Sequence, residues 1–253
     1  MEVHHHSHTA DPDSHRGRKK WTHYFWEFLM LFLAVFCGFL AEYQLEHMIE
    51  HQREKQFMKS MVEDLEKDVL ILRRESGRAQ EQYIGLDSLA EIIFKGTLEQ
   101  PEVRKIYVLQ RKCLTPLLMQ LINRTEIQLK NSGGMRLIRK RQITDSLIAY
   151  WSAAEVLYET KDNINEHRDK AKDLSFTIFN SKYYNHSGDA FIEELIGDPE
   201  LAIRNDIILN EFAGRVSHMS DLLRYLYTKQ RIPLLISKAS SLIQLIKKEY
   251  RLK

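Results

Sequence analysis

A chain of 253 residues, 43% hydrophobic and 28% charged, carries enough apolar content to bury a core, which excludes a disordered polymer. Its 37 basic residues barely outnumber its 35 acidic ones, too even a balance to suggest the concentrated positive surface that nucleic-acid binding requires. Ten glycines and five prolines are few, and Leu, Ile, Glu, Lys, Arg and Gln are plentiful, so the expected class is all-α.

Residues 1–20 are polar and lack the apolar content to fold, so a disordered tail is expected there. His4, His5, His6, His8 and His15 give it imidazoles close enough to chelate a metal loosely. Arg16, Arg18, Lys19 and Lys20 end the tail and set its side of the membrane, because basic residues flanking a span stay in the cytoplasm.

Phe28 to Ala41 reads FLMLFLAVFCGFLA, uncharged and apolar on every face. Taken from Tyr24 to Tyr43 the run reaches about 20 residues and roughly 30 Å, enough to cross a bilayer, with Glu27 and Glu42 near its ends. Trp21, Tyr24 and Trp26 at one edge and Tyr43 at the other match the aromatic belts found at headgroup level. The reading is a transmembrane helix over 21–43, with residues 44–253 on the far side. A cleaved signal peptide would need small residues before the cut, and Phe39 and Phe36 stand in the way; Phe36 likewise spoils Cys37 as a lipoprotein site. Ala34 and Gly38 form a small-xxx-small pair that would let two spans pack closely.

Just past the span, His47, Glu50 and His51 spell H-x-x-E-H, which on a helix sets two imidazoles one turn apart beside a carboxylate, as in inverted zinc proteases. No third ligand is identifiable, so a solvated or interfacial helix face is the expectation and a zinc hydrolase the alternative. Met58, Met61, Val62, Leu65, Val69 and Leu72 continue at helical spacing, predicting one helix from the span to about Glu75, on the order of 80 Å long. Gly77 and Gly85 predict a break and a shorter helix through Tyr83, Leu86, Leu89 and Ile93, ending near Lys95 and Gly96.

Pro101 opens a helical stretch with Ile106, Leu109, Cys113, Leu117, Leu118 and Leu121, interrupted near Pro116. Asn131, Ser132, Gly133 and Gly134 signal a turn. The basic cluster after it, Arg136, Arg139, Lys140 and Arg141, suits an anionic group or an acidic partner face, or is solvated surface. Ile143, Leu147, Trp151, Ala154, Leu157 and Tyr158 then predict a long helix running past Asp173. From Asn180 to Pro199 the chain reads as a loop around a short helix near Phe191 to Ile196. Ile208, Phe212, Val216, Met219, Leu223 and Leu226, then Leu235, Ala239, Leu242 and Ile246, predict two helical runs with a kink or boundary at Pro233. An antiparallel helical bundle follows.

Three segments together, KKWTHYFWEFLMLFLAVFCGFLAEYQLEH, EKQFMKSMVEDLEKDV and LKNSGGMRLIRKRQITDSLIAYW, resemble an uncharacterised family, a domain of unknown function, of single-pass bacterial membrane proteins. The resemblance covers about half the chain and carries no catalytic motif. It implies an inner-membrane location, a helical domain on the periplasmic side and no particular activity. No phosphate-binding glycine loop, Ser-His-Asp order or metal-spaced cysteine pair is present, with only Cys37 and Cys113 in the chain. Asn123-Arg124-Thr125 and Asn185-His186-Ser187 are glycosylation sequons only in a host that modifies them. The expectation is therefore a non-enzymatic, cofactor-free protein that binds the bilayer and a protein partner or its own copies. A ligand-binding, sensor-like bundle is the alternative.

Overall fold

The computed structural model describes residues 17–184 and 195–252, the side chains of 17–20 excepted. The protein is all-α. Helix α1 spans Gly17–Lys95, α2 Gln100–Cys113, α3 Arg124–Asn131 and α4 Arg141–Ile178; α5, Asp206–Asp221, passes through a π-helical segment, Leu222–Arg231, into α6, Ile232–Tyr250. The histidine-rich tail, Arg16 and most of the short helix expected near Phe191 lie outside the described residues.

Compactness divides the chain into two units, Met1–Arg53 and Glu54–Lys253. In the first, the large apolar side chains from Trp21 to Ile49, Leu29 apart, stand exposed. Phe28, Phe32 and Phe36 stack along one edge of the helix, with centroids 6.3 and 5.9 Å apart. Among the described residues one helix is long and apolar enough to cross a membrane, and this is its apolar part.

In the second unit, partner pairs fix the helix directions. From α1 toward α6 and α5, Glu54 meets Tyr250, Glu66 meets Lys247, Glu75 meets Tyr227 and Asp87 meets Ser220, so the two run antiparallel. On α4, Lys140 precedes the helix and pairs with Glu249, while His167 meets His218 edge-on, so α4 also runs antiparallel to α5 and α6. The core fills the space between these three long helices, with Leu65, Leu72, Leu147, Leu157, Val216 and Leu235 fully buried.

Three sequence expectations change. The break near Gly77 does not occur: α1 continues to Lys95, because Glu75, Ala79, Gln82 and Leu86 keep one buried face through the glycine and outweigh its cost of about 1 kcal/mol. Gly85 is a contact and not a breaker, since a Cβ there would fall 2.2 Å from the Cys113 sulfur. The helix expected to run through Leu117 and Leu121 stops at Cys113, and residues 114–123 run without helix to α3, which the apolar spacing did not reveal.

At Pro233 the structure shows a change of helix type. A proline cannot donate to the turn before it, and the backbone widens instead: the Ile232 amide donates to the Tyr227 carbonyl, five residues back. The buried stripe accordingly steps from Leu223 to Tyr227 and then to Ile232, which displaces Leu226 from the fully buried set.

Candidate functional site

The site begins with polar residues in phase with the apolar stripe of α1. Glu54, Met58, Met61, Leu65, Asp68, Leu72, Glu75, Ala79, Gln82 and Leu86 follow one another at three- or four-residue steps, and all are buried. Each buried polar group needs a partner. Glu54 accepts from the Tyr250 hydroxyl and from the Arg139 amide at 2.9 Å. Glu75 accepts from Tyr227 at 3.4 Å. Asp64, on the same side, accepts from Arg124 at 2.8 Å and from the amide and hydroxyl of Thr125, so it caps α3 from a neighbouring helix.

Asp68 and Gln82 serve the extended segment. Gln82 donates to the carbonyls of Cys113 and Thr115 at 2.7 and 2.9 Å. Asp68 accepts from the Ile122 amide at 2.8 Å and from the Tyr150 hydroxyl at 2.7 Å. From α4, Asn165 both accepts from the Leu117 amide, at 2.9 Å, and donates to its carbonyl, at 3.1 Å; the Tyr158 oxygen accepts from the Leu121 amide at 2.8 Å. Backbone groups along this half-buried, non-helical run are thus bonded by side chains from two helices in place of a ladder.

Between that segment and α4 lies a cleft of about 540 Å³. Trp151, Ala154 and Tyr158 line it from α4, Leu118 and Ile122 from the segment, and Glu155 and Lys161 add charge. Leu118 is 82% exposed, a large apolar side chain held in water by a backbone pinned on both sides of it. Lys161 lies over the Tyr158 ring at 5.2 Å. A second cleft of about 300 Å³ shares Leu117 and Leu118 and carries Glu75, Arg78 and Lys112, so the segment is flanked on both sides.

Burial raises the Asp68 carboxyl above the ordinary carboxylate range against its two hydrogen bonds, and raises Glu75 against the pull of Arg78. Burial, with Asp68 beside it, raises Tyr150 further from ionisation, and Tyr158 is raised likewise by burial. Burial pushes the Cys113 thiol up to about 11, which keeps it an unreactive packing group against Gly85. Both Asp68 oxygens are engaged in holding chain, so the carboxylate acts as a clamp. The arrangement offers a shaped, partly apolar surface with charge at its edge, suited to binding.

The sequence candidates fall elsewhere. Trp21, Tyr24, Trp26 and Tyr43 are exposed on α1, as are Ala34 and Gly38. Arg18, Lys19 and Lys20 form its first turn. His47, Glu50 and His51 share a turn of α1, with His47 edge-on to Tyr43 at 5.3 Å, and the structure gathers no group of three or more metal-ligating side chains among the described residues. The basic cluster is partly taken up internally: Lys140 pairs with Glu249, Arg141 with Asp145 at 3.7 Å, and Arg139 is tied through its amide to Glu54. Residues 114–123 were missed as a site, although acids and a glutamine in phase with the α1 apolar stripe were a readable signal. Comparison with family models, with curated proteins and with solved structures finds no match to this chain.

Proposed function

We propose that the protein is a single-pass membrane-anchored binding protein, with its N-terminus cytoplasmic and its helical unit on the outer side of an inner membrane, where that unit engages another protein. Membership of the resembled group of bacterial membrane proteins belongs to the same proposal. The anchor rests on the uncovered apolar helix, and its direction on Arg18, Lys19 and Lys20. The observation that carries the binding role is Leu118, exposed on a segment that Asp68, Gln82, Tyr158 and Asn165 hold rigid. Preorganised apolar side chains beside a cleft bind without the entropic cost of ordering a loop.

A second reading, a small ligand in the cleft, is favoured by its volume of about 540 Å³ and by the aromatic floor of Trp151 and Tyr158. A photo-crosslinking amino acid at Leu118, with Ile207 as a second exposed apolar control, separates the two. A discrete protein adduct at Leu118 and none at Ile207 is the expected result. Equal adducts at both positions, or none at either, would remove the protein-binding reading, and a small molecule copurifying with the intact protein would favour the second.

A further inference from the structure

Within the first unit, α1 presents a continuous heptad seam: Leu31, Ala34, Gly38, Ala41, Leu45, Met48 and Gln52 follow at alternating three- and four-residue steps over three full heptads. Up to Ala41 every face is apolar, so there the seam is distinguished by its small residues, Ala34, Gly38 and Ala41, and not by its hydrophobicity. The seam also runs past the aromatic edge at Tyr43, where Leu45, Met48 and Ile49 are 54%, 59% and 40% exposed among Gln44, Glu46, His47 and Glu50. Apolar residues there face water unless another chain covers them.

We propose that a second copy of this chain covers the seam, in a parallel two-stranded pairing that crosses the membrane and continues beyond it. This rests on the membrane-anchored reading, which holds every copy in the same direction and depth, so each seam residue meets its own counterpart. Ala34, Gly38 and Ala41 allow close backbone approach where lipid gives no hydrophobic drive, and Leu45 and Met48 supply knobs where water does. Charge permits it. In a parallel pair the flanking positions bring Cys37 opposite Glu42 and Gln44 opposite Ile49 of the other copy, with no like charges facing, while Glu46 and Glu50 lie on the far side of the helix. Gln52 ends the seam with a polar layer of the kind that fixes register. Four residues before Leu31 the seam position is Glu27, which meets its own counterpart near the membrane edge, so the close pairing ends there.

The test is disulfide trapping of the full-length protein in its own membranes, in a Cys37→Ser background, with single changes Leu45→Cys, Met48→Cys and Gln52→Cys on the seam and Glu46→Cys and Glu50→Cys off it. Mild oxidation should give a product of twice the chain mass at the three seam positions and at neither other position, and adding Gly38→Leu should abolish the Leu45→Cys product. Equal trapping at all five, trapping only off the seam, no trapping, or a product of another mass from protein that resists alkaline carbonate each overturns the pairing and leaves the anchor standing. Release of the wild-type protein by carbonate overturns the anchor itself.

Discussion

Asp68 shows how one side chain on α1 controls chain 54 and 82 residues away. Its two oxygens receive the Ile122 amide and the Tyr150 hydroxyl, and its burial raises its carboxyl above the ordinary range. The unfolded chain therefore gives up this proton at a lower pH than the folded one. The stability linked to Asp68 is fully present below the unfolded pKa and is lost as pH rises through the folded one. Asp68→Asn removes that titration. The melting temperature of wild type relative to Asp68→Asn should thus be higher at about pH 4 than at pH 7, measured by thermal unfolding of detergent-solubilised protein. A difference that is flat with pH would mean that the carboxyl titrates alike in the folded and unfolded chains. Asp68 was legible as a polar residue at an apolar position of the α1 repeat. Its partners were not, since Ile122, Tyr150 and the segment they hold come together only through tertiary packing.

At the scale of elements, the long runs α1, α4 and α5 to α6 were readable because each repeats one buried face over many turns. Where two causes compete, local reading failed. Gly77 looks like a breaker, yet a continuous buried face overrides it; Leu117 and Leu121 look helical, yet Asn165 and Tyr158 of α4 offer their backbone better partners. The π segment is an intermediate case. Proline was visible at 233, but the register shift was visible only as the five-residue step from Tyr227 to Ile232. That step amounts to one residue more than an α-helix needs. Deleting Lys229, which is exposed over the Tyr225 ring, should restore the four-residue step and leave both stripes aligned. Alone, the deletion would then leave Pro233 inside a regular helix at a cost of about 3 kcal/mol; combined with Pro233→Ala it should fold with near wild-type stability. Chemical denaturation of the two variants decides it, and equal destabilisation in both would mean that the extra residue is required for packing.

For the whole molecule, the division at Arg53 separates two kinds of apolar surface. After it, apolar side chains meet one another in a packed core, whereas before it they stand outward around the entire helix. A protein interior recognises shape, so single changes there are felt through fit. A bilayer recognises only polarity and depth. Phe36 distinguishes these situations, because it lies near the middle of the apolar run, stacks with Phe32 and stands off the heptad seam. In lipid, Phe36→Leu should be silent, while Phe36→Arg should cost about 2.5–3.5 kcal/mol of insertion, roughly a hundredfold in the membrane-integrated fraction after carbonate extraction. If the run were instead covered by another protein, both changes would disturb a fitted surface and Phe36→Leu would also lower recovery. Wild-type recovery of Phe36→Arg would mean that this face meets neither lipid nor protein, and the anchor would have to be abandoned.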